Sequence, residues 1–491
     1  MNLEEQYGQL KERLNELYLT QLLDGVDAGD FSNIESIPET YTYRHLNALL
    51  YFIAGGMKHG EQYYEKIYNL VLAHGKAKIK EKTKNQEKIK IAFLVASAAQ
   101  WPAEKVYWLM QENEKIDCYI VVCSYRDRDP KDAQYVFEKT YDFFVKKGYN
   151  VKKAYDFEND QTVTWEQNGG TPDVIVHISP WYGSFVEEYQ IENLPLKCLN
   201  CYIPYGMYVS DNLTGDFASK YIYNKPFVNM LWRVYADSII NLHGYQLYGL
   251  LKGKNAKYSG YCKMDYFFEK KEFHEKELRK LWKIPEHKRP QEMKRVLIAP
   301  HHSVLDDMVV SYSTFHQNLY FLLYLAEKYK EEISFIYKPH PNLRHKSVQA
   351  GIFRDIDGYD AYVSKWDCLP NAKSVDEDDY LQLFASSDGM IMDSASFIAE
   401  YMYTNKPLLF LTKDTQAFNQ LGKIAVENHY QAEGNDYYRI EKFLCDVILQ
   451  GNDSKKVLRQ QIFEEHLDYM HHNHCLASEY IYNDMITELE I

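Results

Sequence analysis

The chain has 491 residues, a length that predicts two to four domains. Its 56 Lys and Arg residues against 70 Asp and Glu residues give a net charge of −14, which argues against a general nucleic-acid binder. With 46% hydrophobic and 26% charged residues, the composition is that of an ordinary globular protein rather than a disordered or fibrous one.

Targeting and redox features narrow the class further. No apolar run approaches the 18 residues that a membrane span needs, and the charged N-terminus is not a secretory signal. The eight cysteines predict no disulfide framework, and the pair Cys198 and Cys201 has no second pair at zinc-site spacing. The expected compartment is the cytoplasm, with the inner surface of the cell membrane as an open alternative.

Residues 1–87 are predicted to form a helical N-terminal extension. Apolar residues recur at helical spacing over Leu3–Leu22 and again over Leu46–Ala73, with a turn-rich break at Asp24–Pro38 between them. The charged run Lys76–Lys88 ends this segment and indicates a solvated helix or a linker.

Residues 88–268 change to an alternation of strands and helices. Ile89–Ser97 is almost continuously apolar, as expected of a strand that is buried on both faces of a parallel sheet. The elements predicted after it are a helix over Trp101–Glu114, a strand over Ile116–Ser124, a helix over Ala133–Lys147, and strands over Val174–Ile178 and Lys197–Ile203. The alternation predicts a doubly wound, Rossmann-like domain.

A charged stretch with two prolines, residues 269–294, is predicted to be an interdomain linker. Residues 295–455 then repeat the alternation, and residues 456–491 are predicted to be C-terminal helices. The elements predicted in this part are strands over Arg295–Ala299, Ile333–Tyr337, Gly389–Met392 and Pro407–Leu411 and helices over Thr314–Tyr329, Tyr380–Ser386, Ser396–Thr404, Tyr437–Gln450 and Lys455–Glu490. The predicted fold class is α/β, with two Rossmann-like domains that face each other across a cleft.

Polar side chains follow three of the strands predicted in residues 295–455 at the point where each strand ends. They are His301, His302 and Ser303 after the first strand, Lys338 and His340 after the second, and Asp393, Ser394 and Ser396 after the third. Because the carboxyl ends of parallel strands meet at one edge of a sheet, these side chains should share one rim.

A phosphate-bearing ligand fits this rim best. A helix that begins near Ser394 presents backbone N–H groups and the positive end of its dipole to an anion. The histidines could neutralise charge on a leaving phosphate or move a proton near pH 7. The alternative for Asp393 and Ser394 is an ordinary helix N-cap without a ligand.

Other chemistries lack their motifs in this sequence. It contains neither a GxxxxGK[ST] loop nor a GxGxxG loop after a strand, nor the GxSxG elbow of hydrolases. The acidic pairs Asp127/Asp129 and Asp306/Asp307 are more typical of solvated turns than of a metal site, and the cluster His471–Cys475 is interpreted as a surface feature. No metal and no cofactor are therefore expected.

The candidates in residues 88–268 are fewer. His177 follows a predicted strand and could be a general base for an acceptor hydroxyl, with a structural histidine as the alternative. Tyr205 and Gly206 follow the next strand, where glycine permits a turn or a close backbone approach.

Four segments resemble the CDP-glycerol glycerophosphotransferase family of teichoic-acid and capsule synthesis. Lys338–Pro341 is similar to the family's K-P-H-P segment, and Ser386–Leu411 to its S-D-x-x-I-x-D-x-x-S signature and the apolar strand that follows. Ala299–Ser303 resembles its A-P-T/H-x-R/S segment, and Ser259–Asp265 its G-x-P-R-x-D turn. The resemblance extends from about residue 170 to residue 415.

The resemblance implies a GT-B fold whose C-terminal domain holds an activated donor. It implies that His340 contacts the donor pyrophosphate and assists the departure of CMP, with Asp393 and Ser396 at the start of the phosphate-binding helix. Tyr205 stands where the family has the histidine of an H-G-T-P segment, and Ala395 stands where a serine is usual. These departures leave the acceptor-side base unassigned.

The favoured function is transfer of glycerophosphate or a related polyol-phosphate unit from a CDP-activated donor to a hydroxyl of a cell-surface polymer or its lipid-linked precursor. A GT-B glycosyltransferase that uses a nucleotide sugar is the first alternative, and a catalytically weak scaffold in polymer export is the second. The expected catalytic residues are His340, His301 and His302, and the expected substrate-binding residues are Lys338, Ser303, Asp393, Ser394, Ser396, Tyr205, Gly206 and His177.

Overall fold

The computed structural model describes residues 42–56, 60–269, 271–305, 311–375 and 380–491. The helix predicted over Leu3–Leu22 and the acidic pair Asp306/Asp307 lie outside these residues. None of the helices in the described ranges combines the length and the apolar character that a transmembrane segment requires.

The first α/β unit is built on a seven-stranded parallel sheet with the order β3-β2-β1-β6-β7-β8-β9. A small antiparallel pair, β4 with β5, lies beside it. In chain order these strands are β1 (Ile89–Val95), β2 (Ile116–Val122), β3 (Val151–Lys153), β4 (Tyr155–Asp156), β5 (Gln161–Thr162), β6 (Val174–His177), β7 (Leu199–Tyr202), β8 (Arg233–Ala236) and β9 (Ala256–Tyr258).

The second α/β unit is built on a six-stranded parallel sheet with the order β12-β11-β10-β13-β14-β15. Its strands are β10 (Lys294–Ala299), β11 (Ile333–Tyr337), β12 (Ala372–Ser374), β13 (Gly389–Met392), β14 (Leu408–Thr412) and β15 (Tyr430–Glu433). In both units the strand order reverses next to the first strand, between β1 and β6 and between β10 and β13. These are the switch points at which doubly wound sheets bind ligands.

The apolar runs of the sequence form the centres of the two sheets. Every residue of β11 is buried, and in β1 only Lys90 is not. The predicted strands at these positions and at β2, β6, β7, β10, β13 and β14 are confirmed to within a few residues at their ends. The sequence reading missed β3, β8, β9, β12 and β15, which are three or four residues long and lie toward the edges.

The α-helices pack around the two sheets. The helices that surround the first sheet are Arg44–Ala54, Gly60–Lys84, Glu104–Gln111, Pro130–Lys146, Pro226–Met230 and Ile239–Tyr248. Those after it are Glu275–Leu281, Phe315–Lys328, Leu343–Gln349, Ile356–Cys368, Leu381–Ser386, Phe397–Glu400, Gln420–Asn428, Tyr437–Lys442, Lys456–His466, Tyr469–Asn473 and Ala477–Leu489.

Several predicted helices differ in detail. The pattern over Leu46–Ala73 spans parts of two helices, and the charged run that begins at Lys76 forms the last turns of the second one. The helical stretch predicted over Lys455–Glu490 consists of three helices, because the chain turns near Leu467 and again at His474, where φ is 56°.

The segment between the two sheets and the C-terminal helices tie the two units together. In the segment between the two sheets, Leu278 is buried and the indole N–H of Trp282 donates to the Ser386 hydroxyl at 2.8 Å. The last helix packs on the first unit, where the Arg233 guanidinium lies 2.8 Å from the Asp484 carboxylate. The C-terminus of the chain therefore stabilises the N-terminal sheet.

A cleft of about 730 Å³ lies between the two units. At one side, an isolated β-bridge joins Ser210 of the first unit to Phe418 of the second. Next to it, the Asn419 amide donates to the Tyr208 carbonyl at 2.8 Å. These bonds fix the separation of the two walls at this side.

Candidate functional site

The site is built at the switch point of the second sheet, where the loops after β10 and β13 meet. His301 follows β10 and Asp393 follows β13, and the backbone N–H of His301 donates to the Asp393 carboxylate at 2.6 Å. The loop after β11 joins them, because the backbone N–H of His340 donates to the Pro300 carbonyl at 3.0 Å. Three strand ends are thus connected by hydrogen bonds.

Asp393 stabilises these loops from the interior of the second unit and does not face the cleft. Its side chain is buried, and its second carboxylate oxygen accepts hydrogen bonds from the Thr314 N–H and from the Thr314 hydroxyl at 2.9 Å. Burial raises the pKa of Asp393 to about 6, while the donors of Thr314 and His301 act in the opposite direction. Asp393 was expected to bind substrate; the structure instead gives it the position of a residue that orients the His301 loop.

The three histidines of the rim form one cluster. The ring centroids of His301 and His302 are 4.2 Å apart, and those of His302 and His340 are 4.1 Å apart. His301 is buried, whereas His302 and His340 are half-buried, and His340 lines the cleft. The proximity that the sequence led us to expect is present.

The hydrogen bonds of the cluster define which ring nitrogens can donate. The backbone N–H of Asn342 donates to Nδ1 of His340 at 3.1 Å, so the proton of the neutral ring is on Nε2. Nδ1 of His301 lies 2.7 Å from the Ser303 hydroxyl and also faces the Ser303 N–H at 3.3 Å, which places the His301 proton on Nε2 as well. Both neutral rings therefore carry an Nε2–H donor, but of the two only His340 lines the cleft, whereas His301 is buried.

All three rings are neutral at pH 7. Burial lowers the pKa of His302 to about 4, with a further contribution from the Lys346 charge. Burial and the neighbouring histidines also hold the pKa of His301 and of His340 well below the usual value. A neutral imidazole whose Nε2 carries the proton can donate a hydrogen bond to an anion. The charge of the ring does not have to change when that anion departs.

The cluster also has the composition of a metal site, since one nitrogen of each histidine lies within 4.8 Å of the others. A cation at Nε2 of His340 would require the proton on Nδ1, where it would oppose the Asn342 N–H. The same conflict arises at His301 with the Ser303 N–H. The hydrogen bonds of the rings therefore favour an anion over a metal ion.

Lys338, Ser394 and Ser396 complete the wall formed by the second unit. All three line the cleft, as expected from the sequence. The helix predicted over Ser396–Thr404 begins at Phe397 and continues as a 3₁₀-helix from Tyr401. Ser303 differs from these residues: it is buried behind His301, and its hydroxyl accepts the Tyr312 N–H at 2.8 Å.

Tyr205 and Gly206 form the facing wall from the first unit. A Cβ atom on Gly206 would lie 3.9 Å from the Ser396 Cβ, so the two walls nearly touch here. The Trp181 indole N–H donates to the Tyr205 hydroxyl at 3.1 Å, and burial raises the pKa of Tyr205. Tyr205 is therefore a protonated hydroxyl and not a base at neutral pH.

His177 lies away from the cleft. Its ring is buried between Phe185 and Phe227, and Nε2 bonds to the Asn200 side chain at 2.9 Å. Burial lowers the pKa of His177 to about 4. His177 is therefore a structural histidine, the alternative that the sequence left open. No acceptor hydroxyl can reach its ring without rearrangement of the two phenylalanine rings.

The sequence reading missed several charged residues of the cleft. Arg128, Lys263, Arg344 and Glu400 all line it. Lys263 belongs to the segment that resembles the G-x-P-R-x-D turn and occupies its Arg position, which is the signal that could have identified it. Arg128 lies in no segment from which a ligand contact was inferred. Glu400 lies within the segment Ser386–Leu411, but was not itself identified as a candidate.

Comparison with solved structures identifies the fold of the chain. The chain shares its fold with a variant of the wall teichoic acid polymerase TagF, with a TM-score of 0.50 and 14% identity over 86% of this chain and 96% of that chain. A putative UDP-N-acetylglucosamine 2-epimerase from Listeria monocytogenes gives a TM-score of 0.47 at 14% identity, over 76% of this chain and 91% of that chain. The fold is that of the GT-B enzymes, as predicted.

The family follows from the sequence of the C-terminal half. Residues 246–487 match the model of the CDP-glycerol:poly(glycerophosphate) glycerophosphotransferase family. This part of the chain contains the histidine cluster, and its match to the family model confirms the resemblance seen in the motifs. No curated protein gives a significant match.

Proposed function

We propose that the protein transfers a glycerophosphate or related polyol-phosphate unit from a CDP-activated donor to a hydroxyl of a cell-surface polymer or its lipid-linked precursor, with release of CMP. The observation that carries the proposal is the neutral imidazole N–H donor of His340, which lines the cleft beside Lys338 in the family-matched region. A hydrogen-bond donor on His340 together with the Lys338 ammonium suits the diphosphate of such a donor molecule.

In the proposed reaction the acceptor oxygen attacks the β-phosphorus of the donor. A bond forms between that oxygen and the β-phosphorus, and the bond from the β-phosphorus to the bridging oxygen breaks. The bridging oxygen leaves with CMP and gains negative charge, which the Nε2–H of His340 stabilises by a hydrogen bond. Because the ring is already neutral and oriented, little reorganisation is needed as the charge develops.

The proton of the acceptor hydroxyl requires a base. We assign this role to Glu400, a residue of the second unit that lines the cleft and whose carboxylate accepts a hydrogen bond from the Tyr380 hydroxyl. Burial raises the pKa of Glu400, which makes its ionised form a stronger base than an exposed glutamate. Tyr205, at the position of the family's histidine, keeps its own proton and can only orient the acceptor.

The experiment is to measure binding and turnover of CDP-glycerol by the full-length chain, beside UDP-sugars and CMP-sugars. We expect thermal stabilisation by CDP-glycerol and formation of CMP when an acceptor is supplied. Selective stabilisation by a UDP-sugar, with none by cytidine nucleotides, would favour a sugar transferase and reject the proposed donor. Binding of CDP-glycerol without turnover on any acceptor would favour the scaffold.

A further inference from the structure

Arg128 brings a cation into the cleft from the N-terminal unit. It lies in the loop between β2 and the helix Pro130–Lys146, outside the region that the family model matches. Its side chain lines the same cleft as His340 and Lys338, which belong to the opposite wall. Arg128 therefore places a positive charge at the cleft of a chain whose net charge is −14.

The loop that carries Arg128 is held on both sides. The Arg126 N–H donates to the Gly183 carbonyl at 2.8 Å, and the Asp127 carboxylate packs so closely that a Cβ on Gly183 would lie 2.4 Å from its Oδ2 atom. On the other side, Asp129 caps the helix by accepting the Lys131 N–H at 2.9 Å. The acidic residues that flank Arg128 thus fix the loop instead of forming ion pairs with it.

The side chain of Arg128 is oriented by Tyr125. Its guanidinium carbon lies 3.8 Å from the centroid of the Tyr125 ring, a cation–π contact. Tyr125 is 8% exposed, and its hydroxyl donates to the Gln100 side chain at 3.1 Å. The aromatic ring holds the guanidinium by its face, so the N–H groups at the edge of the guanidinium remain available to an anion.

The charge of Arg128 acts on the opposite wall. Burial lowers the pKa of His340, and the adjoining His302, Lys338 and Arg128 add to the effect. Arg128 therefore contributes to the positive potential at the ring that we place next to the leaving oxygen. Among the described residues no carboxylate forms an ion pair with Arg128 that would cancel this potential.

We propose that Arg128 binds the β-phosphate of the donor, so that the diphosphate is held between the N-terminal unit and the His340 loop of the C-terminal unit. The inference rests on the proposed function and extends it. The C-terminal unit is expected to hold the nucleoside side of the donor, and the group to be transferred must face the N-terminal wall, from which the acceptor arrives. Arg128 is the cation on that wall whose charge acts on His340. A planar guanidinium can donate two parallel hydrogen bonds to one phosphate.

The test compares the affinities of CDP and CMP by isothermal titration calorimetry on the full chain. Arg128→Ala should weaken CDP binding about 10- to 100-fold, the loss typical of one charge-assisted contact, and should change CMP binding less than about twofold. Arg126→Ala removes a cation from the same loop outside the cleft and should leave both affinities unchanged. Arg128→Lys should restore part of the CDP affinity, because it keeps the charge and loses the bidentate geometry.

The outcomes separate the two proposals. Equal binding of CDP by the wild-type protein and by Arg128→Ala overturns the role of Arg128 and leaves the proposed function intact. A wild-type protein that binds neither CDP nor CDP-glycerol overturns the proposed function and this inference with it. Tyr125→Leu, which removes the ring under the guanidinium, should lower CDP affinity in the same direction by a smaller factor, whereas Tyr125→Phe should not.

Discussion

His177 and His340 both lie at the carboxyl edge of a parallel sheet, one in each half of the molecule, and have opposite surroundings. Each lies at the carboxyl edge of a parallel sheet, at the end of β6 and just after β11. His177 is 1% exposed, sits between two phenylalanine rings and bonds to Asn200. His340 lines a cleft and has its Nδ1 occupied by a backbone N–H, so that Nε2 can donate.

The difference comes from what covers each sheet edge. In the first unit, the 3₁₀-helix Tyr182–Ser184 and the residues after it fold back over the end of β6 and bring Phe185 onto His177. In the second unit, the carboxyl edge of the sheet faces the first unit, and the cleft lies between them. A histidine at a strand end is therefore a candidate for chemistry only where the next segment leaves its ring uncovered.

The largest expected effect is a loss of activity when His340 is replaced. His340→Ala should lower turnover of the CDP-activated donor about 100- to 1,000-fold, the cost of losing one preorganised donor to developing negative charge. The same variant should unfold at nearly the wild-type denaturant midpoint, because the side chain is only half-buried. Turnover is measured as CMP release under saturating donor.

The control is His316→Ala, which removes an exposed histidine of the helix Phe315–Lys328 and should not change turnover. Undiminished CMP release by His340→Ala would remove the residue from the mechanism. A loss equal in both variants would point to a general effect of the substitution on folding.

The next effect concerns the carboxylate beneath the cluster. Asp393→Ala should lower the free energy of unfolding by about 3 kcal/mol, because the buried donors of His301 and Thr314 lose their acceptor. Turnover should fall as well, since the His301 loop loses its anchor. The measurement is urea unfolding followed by tryptophan fluorescence.

Asp388→Ala is the matched control, at the other end of β13. The Asp388 side chain is 26% exposed, pairs with the Arg295 guanidinium at 2.9 Å and accepts the Arg295 backbone N–H at 2.9 Å, so its removal should cost about 1 kcal/mol, less than the loss expected at Asp393. Equal losses from the two aspartates would show that the hydrogen bonds of Asp393 have no special weight.

Part of this architecture could be predicted from the sequence. The strands β1 and β11 are continuous apolar runs, and the polar residues after β10, β11 and β13 had to share one rim once the sheet was parallel. The direction of each side chain could not be predicted. Ser303 and Asp393 come from the same loops as His301 and Ser394, yet they point into the unit because their partners Tyr312 and Thr314 are there.

The contribution of the first unit was harder to predict. Arg128 has no apolar pattern around it, and its place in the cleft depends on how the two units face each other, which no local pattern encodes. The edge strand β15 has the sequence Tyr-Gln-Ala-Glu, in which only Ala432 is buried, so neither a continuous nor a long alternating pattern marks it. Tertiary contacts decide such positions.

A pH titration tests the buried state of His177. Its folded pKa of about 4 lies below the unfolded value of about 6.5, so the stability is fully present above pH 6.5 and is lost as the pH falls toward 4. At pH 5 the wild type should have lost about 2 kcal/mol through this group. His177→Gln lacks the titration, so the difference in unfolding free energy between the two proteins should shrink by that amount from pH 7.5 to pH 5.

Other groups, such as His302, titrate equally in both proteins and cancel in this difference. A difference in unfolding free energy that stays constant from pH 7.5 to pH 5 would mean that burial between the two phenylalanine rings does not hold His177 neutral.

The smallest effect is expected where the two walls approach each other. Gly206→Ala should change the free energy of unfolding by less than about 0.5 kcal/mol, because its nearest neighbour would be the Ser396 Cβ at an ordinary 3.9 Å and its backbone has no positive φ. Gly260→Ala is the contrasting variant, since φ is 83° there and the new Cβ would lie 2.0 Å from the Tyr469 ring. Thermal unfolding should separate the two variants by several degrees. If Gly206→Ala were as destabilising as Gly260→Ala, the walls would have to be closer than 3.9 Å, with no room at that point for an acceptor to pass between Tyr205 and Ser396.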